Sequence, residues 1–174
     1  MERICAIFSH YRRISLTEMC LQKLAQQTVP PHRVVVADNG AGDGSLDGVK
    51  EQAAAGAYPF MLEIIDMPGN TGNAGGIARG LERAFSFPDV DAVWILDDDS
   101  WPEPDALACL LSHGPGTDGM EWPCVRGCKV VDLKQGGELS WPMVLLDEKD
   151  GRRIHVTRGD ALPEAPFLLT GGAF

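Results

Sequence analysis

No window of the sequence approaches the ~18 consecutive apolar residues of a membrane-spanning helix. The opening segment, Met1 to Phe8, breaks at Ser9 after a run too short for a signal-peptide core. Cations are in deficit, with 15 Lys+Arg against 25 Asp+Glu and a net charge of −10. A general nucleic-acid binder wants a basic face, so that class is excluded. A small anionic ligand would need a local device, such as a metal ion, to offset the acid. No second Cys/His pair at zinc spacing accompanies Cys124 and Cys128, so a zinc site is not expected. Five cysteines is an odd count, and without a secretion signal they read as reduced thiols of a cytoplasmic protein. Internal repeats and low-complexity segments are also missing. What is present is globular: 174 residues, 44% hydrophobic and 23% charged, with room for one domain of ordinary size and no linker marking a second.

Short apolar runs alternate with helical patterns. Ile4 to Ser9 is nearly continuous in apolar character, as suits a strand buried on both faces of a parallel sheet. Ser15-Leu16-Thr17-Glu18 has a capping-box spacing, and Leu16, Met19, Cys20, Leu21 and Leu24 follow at helical intervals until Pro30-Pro31. Arg33 to Ala37 is a second strand, and Ser45 to about Ala55 a helix. Met61 to Asp66 is a third strand, with a helix from Ile77 to Phe85. Ala92 to Leu96 is a fourth strand, with a helix from Pro104 to Leu111. This β-α alternation with short connections predicts a doubly wound, mostly parallel α/β sheet. Beyond Leu111 the pattern loosens. Val125 to Val131, Leu139 to Leu146 and Arg152 to Val156 read as strands, the last two short and antiparallel.

Ligands of open α/β sheets bind outside the carboxyl ends of the strands. Strand one ends in Ser9-His10-Tyr11-Arg12-Arg13, and strand two in Asp38-Asn39-Gly40. Strand three leads to Asn70-Thr71-Gly72-Asn73-Ala74-Gly75-Gly76, and strand four ends in Asp97-Asp98-Asp99. Ile95-Leu96 just before the aspartates are apolar, so the carboxylates are expected to emerge from a buried strand, with Asp97 and Asp99 on one face and Asp98 pointing away. Such close carboxylates suit Mg²⁺ or Mn²⁺, which can bridge to a diphosphate. The alternative is a solvated acidic turn ahead of the helix near Pro104. The glycines before the third helix would let a ligand approach the backbone, with free N–H donors at the helix start. Arg79, one turn on, either faces that ligand or is solvated. Asp38 accepts a hydrogen bond from a nucleobase or ribose, or serves as a turn residue.

Rival signatures fail. There is no G-x-G-x-x-G after strand one, no Walker P-loop, no His-Glu-x-x-His and no G-x-S-x-G. Asp43-Gly44-Ser45-Leu46-Asp47-Gly48 imitates a calcium loop, but its twelfth position is Ala54 where a Glu is needed.

Phe8 to Arg12, Val36 to Gly40, Asn70 to Gly76 and Trp94 to Asp99 together resemble the family 2 glycosyltransferases, which have the nucleotide-sugar-binding GT-A fold. The Asn-x-Gly-x-x-Gly-Gly turn followed by Arg79 and Gly80 is most similar to the galactofuranosyl- and rhamnosyltransferase branch. The resemblance covers about Ile4 to Leu111. It implies a nucleotide-sugar pocket of Ser9, Arg12, Asp38, Asn39, Asn70, Gly72, Gly75, Gly76, Arg79, Asp97 and Asp98. Ser9 and Arg12 would line the nucleotide, Asp38 would bond the base, and Asn70 with the glycines would meet ribose and diphosphate. Asp97 and Asp99 would hold Mn²⁺ or Mg²⁺. The implied donor is a UDP- or dTDP-sugar, and the acceptor a glycan or glycolipid of cell-wall polysaccharide synthesis. The implied setting is the cytoplasm, at the inner face of the membrane.

The expectation is an inverting donor domain, with 1–111 as the nucleotide-sugar half and 112–174 as an incomplete acceptor-side half. The apolar ending Leu168-Leu169-Thr170-Gly171-Gly172-Ala173-Phe174 points to a cut before the catalytic base. Asp147, Glu148, Asp150, Asp160 and Glu164 are carboxylates outside any motif that assigns them that role. A sugar-nucleotide nucleotidyltransferase is the second reading, although Ser9-His10-Tyr11-Arg12 lacks its glycines. A non-catalytic nucleotide-sugar-binding module is the third.

Overall fold

A computed structural model describes residues 2–40, 42–112, 131–132, 138–146 and 153–158. The chain divides into two compact units, Met1–Cys124 and Val125–Phe174. The first runs β1 (Ile4–His10), α1 (Ile14–Ala25), β2 (Arg33–Asp38), α2 (Asp47–Ala54), β3 (Met61–Asp66), α3 (Gly72–Phe85), β4 (Ala92–Ile95) and α4 (Ala106–Ser112). Its four strands are parallel, in the order β3-β2-β1-β4. The expected alternation and parallel sheet are therefore present. The chain winds outward from β1 to β3 and then returns to the far side of β1. Strand order reverses between β1 and β4, the point at which open α/β sheets bind ligands at their strand ends.

The apolar runs form strands because both faces of the sheet are covered. Ala6, Phe8, Val34 and Val36 pack on one face with Leu21 and Leu24 of α1 and Val49 of α2. Cys5, Ile7 and Val35 alternate to the other face, under Ala84, Ile77 and Leu81 of α3. Helix α3 packs closely here, and a Cβ at Gly80 would meet the Ile7 side chain at 3.4 Å, an ordinary van der Waals contact. Burial pushes the thiols of Cys5 and Cys20 up to about 11 and about 12, which keeps them protonated and inert.

Several boundaries differ from the sequence expectation. The capping box is not used: α1 starts at Ile14, so Ser15 and Glu18 lie inside it and no side chain caps its first turn. The Arg13 carbonyl instead accepts from the amides of Leu16 and Thr17. Helix α2 starts at Asp47, because Ser45 is engaged in the preceding turn, its amide donating to Asp43 Oδ1. Helix α3 starts at Gly72, five residues before Ile77, so Gly75 and Gly76 are helical. Strand β4 stops at Ile95, which is 52% exposed, and among the described residues β4 is an edge strand. The aspartates thus follow a half-covered strand, and Asp98 and Asp99 lie in a turn. Strand alternation does not decide which way they face.

In the second unit, β5 (Val131–Asp132), β6 (Glu138–Leu146) and β7 (Arg153–Arg158) form an antiparallel sheet in that order. The register of β6 on β7 shifts between Glu138 and Met143. The antiparallel pair expected near Leu139 to Val156 is present. The strand expected over 125–131 falls outside the described residues except for Val131. Cys124, Cys128 and the five carboxylates from Asp147 to Glu164 also lie outside them.

Candidate functional site

The ends of β1 and β2 and the start of α3 are tied together by one carboxamide. Asn39 is buried, and its Nδ2 donates to Ser9 Oγ at 2.7 Å and to the Gly72 carbonyl at 3.2 Å. Its Oδ1 accepts from the Thr71 amide at 3.0 Å and the Thr71 hydroxyl at 2.9 Å. A carboxamide offers two donor hydrogens and two acceptor lone pairs, so every one of them is used. Asn39, expected in the nucleotide-sugar set, stands here as a tie between loops.

The glycines have packing reasons of their own. A Cβ at Gly76 would stand 2.5 Å from Ser9 Oγ and 3.0 Å from Asn39 Nδ2. One at Gly75 would stand 2.4 Å from Thr71 Oγ1. Gly72 adopts φ +72°, a left-handed backbone that side chains disfavour. Its amide donates to Asn70 Oδ1 at 2.9 Å. Two amides at this helix start, those of Thr71 and Gly72, are therefore engaged by side chains of the protein itself.

Asp38 is buried at the end of β2, and its Oδ1 accepts from the Gly40 amide at 2.9 Å, so it braces the turn. Arg79 pairs with Glu82 on the exposed surface of α3 at 2.9 Å. Arg12 has φ 57°, and its guanidinium lies over the Tyr11 ring, 5.1 Å from the centroid.

The aspartate turn is organised by Asn73 and Arg13, neither of which was assigned a role from the sequence. Asp97 Oδ1 accepts from Asn73 Nδ2 at 2.9 Å. Arg13 forks across its two neighbours, with Nη1 donating to Asp99 Oδ2 at 2.9 Å and Nη2 donating to Asp98 Oδ1. Asp98 is only 3% exposed, and its Oδ2 has no hydrogen-bond partner. Burial pushes the Asp98 carboxyl up, while Arg13 pulls it down. His10, also without a role assigned from the sequence, is fully buried at the end of β1. Its Nδ1 lies 2.8 Å from Thr17 Oγ1 and its Nε2 lies 3.0 Å from Ser45 Oγ. Burial lowers its pKa against the pull of Asp38 and Asp98. It holds α1 to the loop before α2. The signal for Arg13 was its place in the Arg12-Arg13 pair; sequence adjacency does not tell which guanidinium turns inward.

The turn fits a divalent ion in a particular way. Among the described residues no three His, Cys, Asp or Glu side chains form a metal-binding group. Asp97 and Asp99 are two exposed carboxylates beside the orphaned Asp98 oxygen. One or two carboxylates, completed by water and ligand phosphates, is how Mg²⁺ is ordinarily bound. The donor set suits an ion shared with a diphosphate.

Among the described residues no helix is long and apolar enough to cross a membrane. The chain is 34% identical over 113 residues to galactofuranosyltransferase GlfT1 of Mycobacterium tuberculosis, an alignment covering 64% of this chain and 35% of that protein. It thus spans about a third of the length of the curated relatives it matches. Its fold is similar to that of S. aureus TarS, with a TM-score of 0.52, 20% identity, and coverage of 63% of this chain and 19% of that one. It is also similar to the mannosyltransferase PcManGT of Pyrobaculum calidifontis, solved in complex with GDP-Man and Mn²⁺, with a TM-score of 0.50 and 26% identity. That match covers 65% of this chain and 33% of the other. The model of glycosyl transferase family 2 matches residues 5–128, from β1 past the aspartate turn, and the chain belongs to that family.

Proposed function

We propose that the carboxyl ends of the strands, at the reversal of strand order, bind a nucleoside-diphosphate sugar with Mn²⁺ or Mg²⁺, and that the protein transfers the sugar with inversion to a glycan or glycolipid acceptor. The observation that carries this reading is the meeting of the β1 end with the aspartate turn at the reversal of strand order, through Arg13, Asp98 and Asp99. Asp97 and Asp99 would hold the ion, which would offset the charge on the departing diphosphate. Ser9, Asp38 and Arg12 would meet the nucleoside, and Asn70 with the start of α3 the ribose and diphosphate. In the transfer, an acceptor hydroxyl forms a bond to the anomeric carbon, loses its proton to a base, and the nucleoside diphosphate leaves with the bonding pair. The likeness to a galactofuranosyltransferase makes a UDP-linked galactofuranosyl donor the first to try, ahead of a dTDP-sugar. A cell-wall glycan acceptor at the inner face of the membrane accords with that choice.

The test is calorimetry of UDP and dTDP with Mn²⁺, with Mg²⁺ and with EDTA. In a chain of net charge −10 the anionic nucleotide needs a counter-charge, so binding is expected to be far tighter with metal. Equal affinity in EDTA would refute the metal-dependent reading.

A further inference from the structure

Arg13 holds an unusual position. It is the residue from which α1 starts, and its carbonyl is fixed by the amides of Leu16 and Thr17. Its side chain crosses the reversal of strand order, from the end of β1 to the turn after β4. There it places one positive charge against two carboxylates, Asp98 and Asp99. The two contacts differ in kind. Asp98 is buried, and removing its partner would leave a desolvated carboxyl that already has one orphaned oxygen. Asp99 is half-exposed, and its contact with Arg13 is open to water and to competing cations.

We propose that Arg13 is the built-in counter-ion of the aspartate turn and that it weakens the turn's affinity for a divalent cation by competing for Asp99. The inference rests on the metal reading proposed above. An ion that takes Asp99 as a ligand must displace one arm of the guanidinium or work against its charge. The other arm remains on Asp98 and keeps the turn in place. Through this competition the turn takes up metal chiefly when a diphosphate supplies further oxygen ligands, so metal and nucleotide bind together.

The experiment titrates Mn²⁺ calorimetrically into the 174-residue chain, Arg13→Gln and Arg13→Lys, each with and without UDP. Thermal melting checks that each protein is folded. Without UDP, Arg13→Gln is expected to bind Mn²⁺ about threefold or more tighter than the parent, as loss of a screened positive charge beside Asp99 predicts. Arg13→Lys, whose point charge cannot fork across both carboxylates, should fall between them. UDP should tighten Mn²⁺ binding more in the parent than in Arg13→Gln. A folded Arg13→Gln that binds Mn²⁺ equally or more weakly overturns the inference. If Arg13→Gln does not fold, Arg13→Lys decides: tighter Mn²⁺ binding supports the inference, and equal or weaker binding overturns it. A parent that binds Mn²⁺ while the folded variant is unchanged overturns this inference alone. No Mn²⁺ binding by any of the proteins, with or without UDP, overturns the metal reading and the inference with it. Binding by Arg13→Gln where the parent shows none supports the inference.

Discussion

Asn39 donates to Ser9 Oγ across 2.7 Å, joining the end of β2 to the end of β1 with a buried hydrogen bond between residues 30 apart in sequence. The same carboxamide holds Thr71 and Gly72 at the start of α3. Asn39→Ala removes the tie and leaves the Thr71 amide without this acceptor. Unsatisfied groups of this kind cost about 1–3 kcal/mol each. The variant should melt well below the parent in a calorimetric scan. Asn39→Asp keeps the acceptor and should recover part of the loss, whereas unchanged melting in Asn39→Ala would show that the tie is idle.

Gly76 faces the same hydroxyl. A Cβ at position 76 would lie 2.5 Å from Ser9 Oγ and 2.9 Å from Ser9 Cβ, closer than real Cβ contacts. Gly76→Ala should destabilise by about 1–3 kcal/mol through overpacking. Ser9→Gly removes both clashing atoms, so the double variant should lose less than the sum of the single losses. Denaturant midpoints of the four proteins measure that coupling, and strict additivity would contradict the contact.

Asp38 is proposed to bond the nucleoside while it also braces the turn at Gly40. Losing a hydrogen bond that involves a charged group costs roughly 1.5–3 kcal/mol, about tenfold or more in affinity. Asp38→Ala should bind UDP with Mn²⁺ correspondingly more weakly and also melt lower. Lowered melting with unchanged UDP affinity would assign Asp38 to the turn alone.

His10 makes stability depend on pH. Its folded pKa lies below the ordinary value of 6.5, because burial disfavours the imidazolium. Between the folded and unfolded values the unfolded chain binds more protons, so stability falls as pH drops below about 6.5. Urea unfolding at pH 7.5 and pH 5.5 should show this loss in the parent. His10→Gln, which does not titrate, should show a shallower one. Equal slopes would mean that His10 titrates alike in both states.

Most of the β-α alternation was legible in the sequence because it is a local property. A strand covered on both faces must be apolar at successive positions, and Ile4 to Phe8 and Val34 to Val36 are. Glycine, proline and Asx residues punctuate these runs, so the strand ends, and with them the four polar segments of the site, could be placed. The third strand falls on Met61–Asp66, the range expected. The helix starts were less legible. The Ser15-Glu18 capping spacing is present but unused, because the backbone around Arg12 and Arg13 starts α1 without it.

The sequence by itself determined that acidic, amide and glycine-rich segments would collect at one end of a parallel sheet. Only the tertiary structure decided what each residue there does. Arg13 rather than Arg12 reaches the aspartate turn, across 85 residues of sequence to Asp98. Asn39 spends its whole amide inside the protein, and Gly76 is small because Ser9 lies over it. The reason is physical. Periodicity along a chain reports which face of an element is buried, whereas a hydrogen bond or ion pair between distant loops depends on crossover geometry and on which way a backbone turns. At residue 12 that turn is a single left-handed φ of 57°, and it precedes the residue whose side chain reaches the acid.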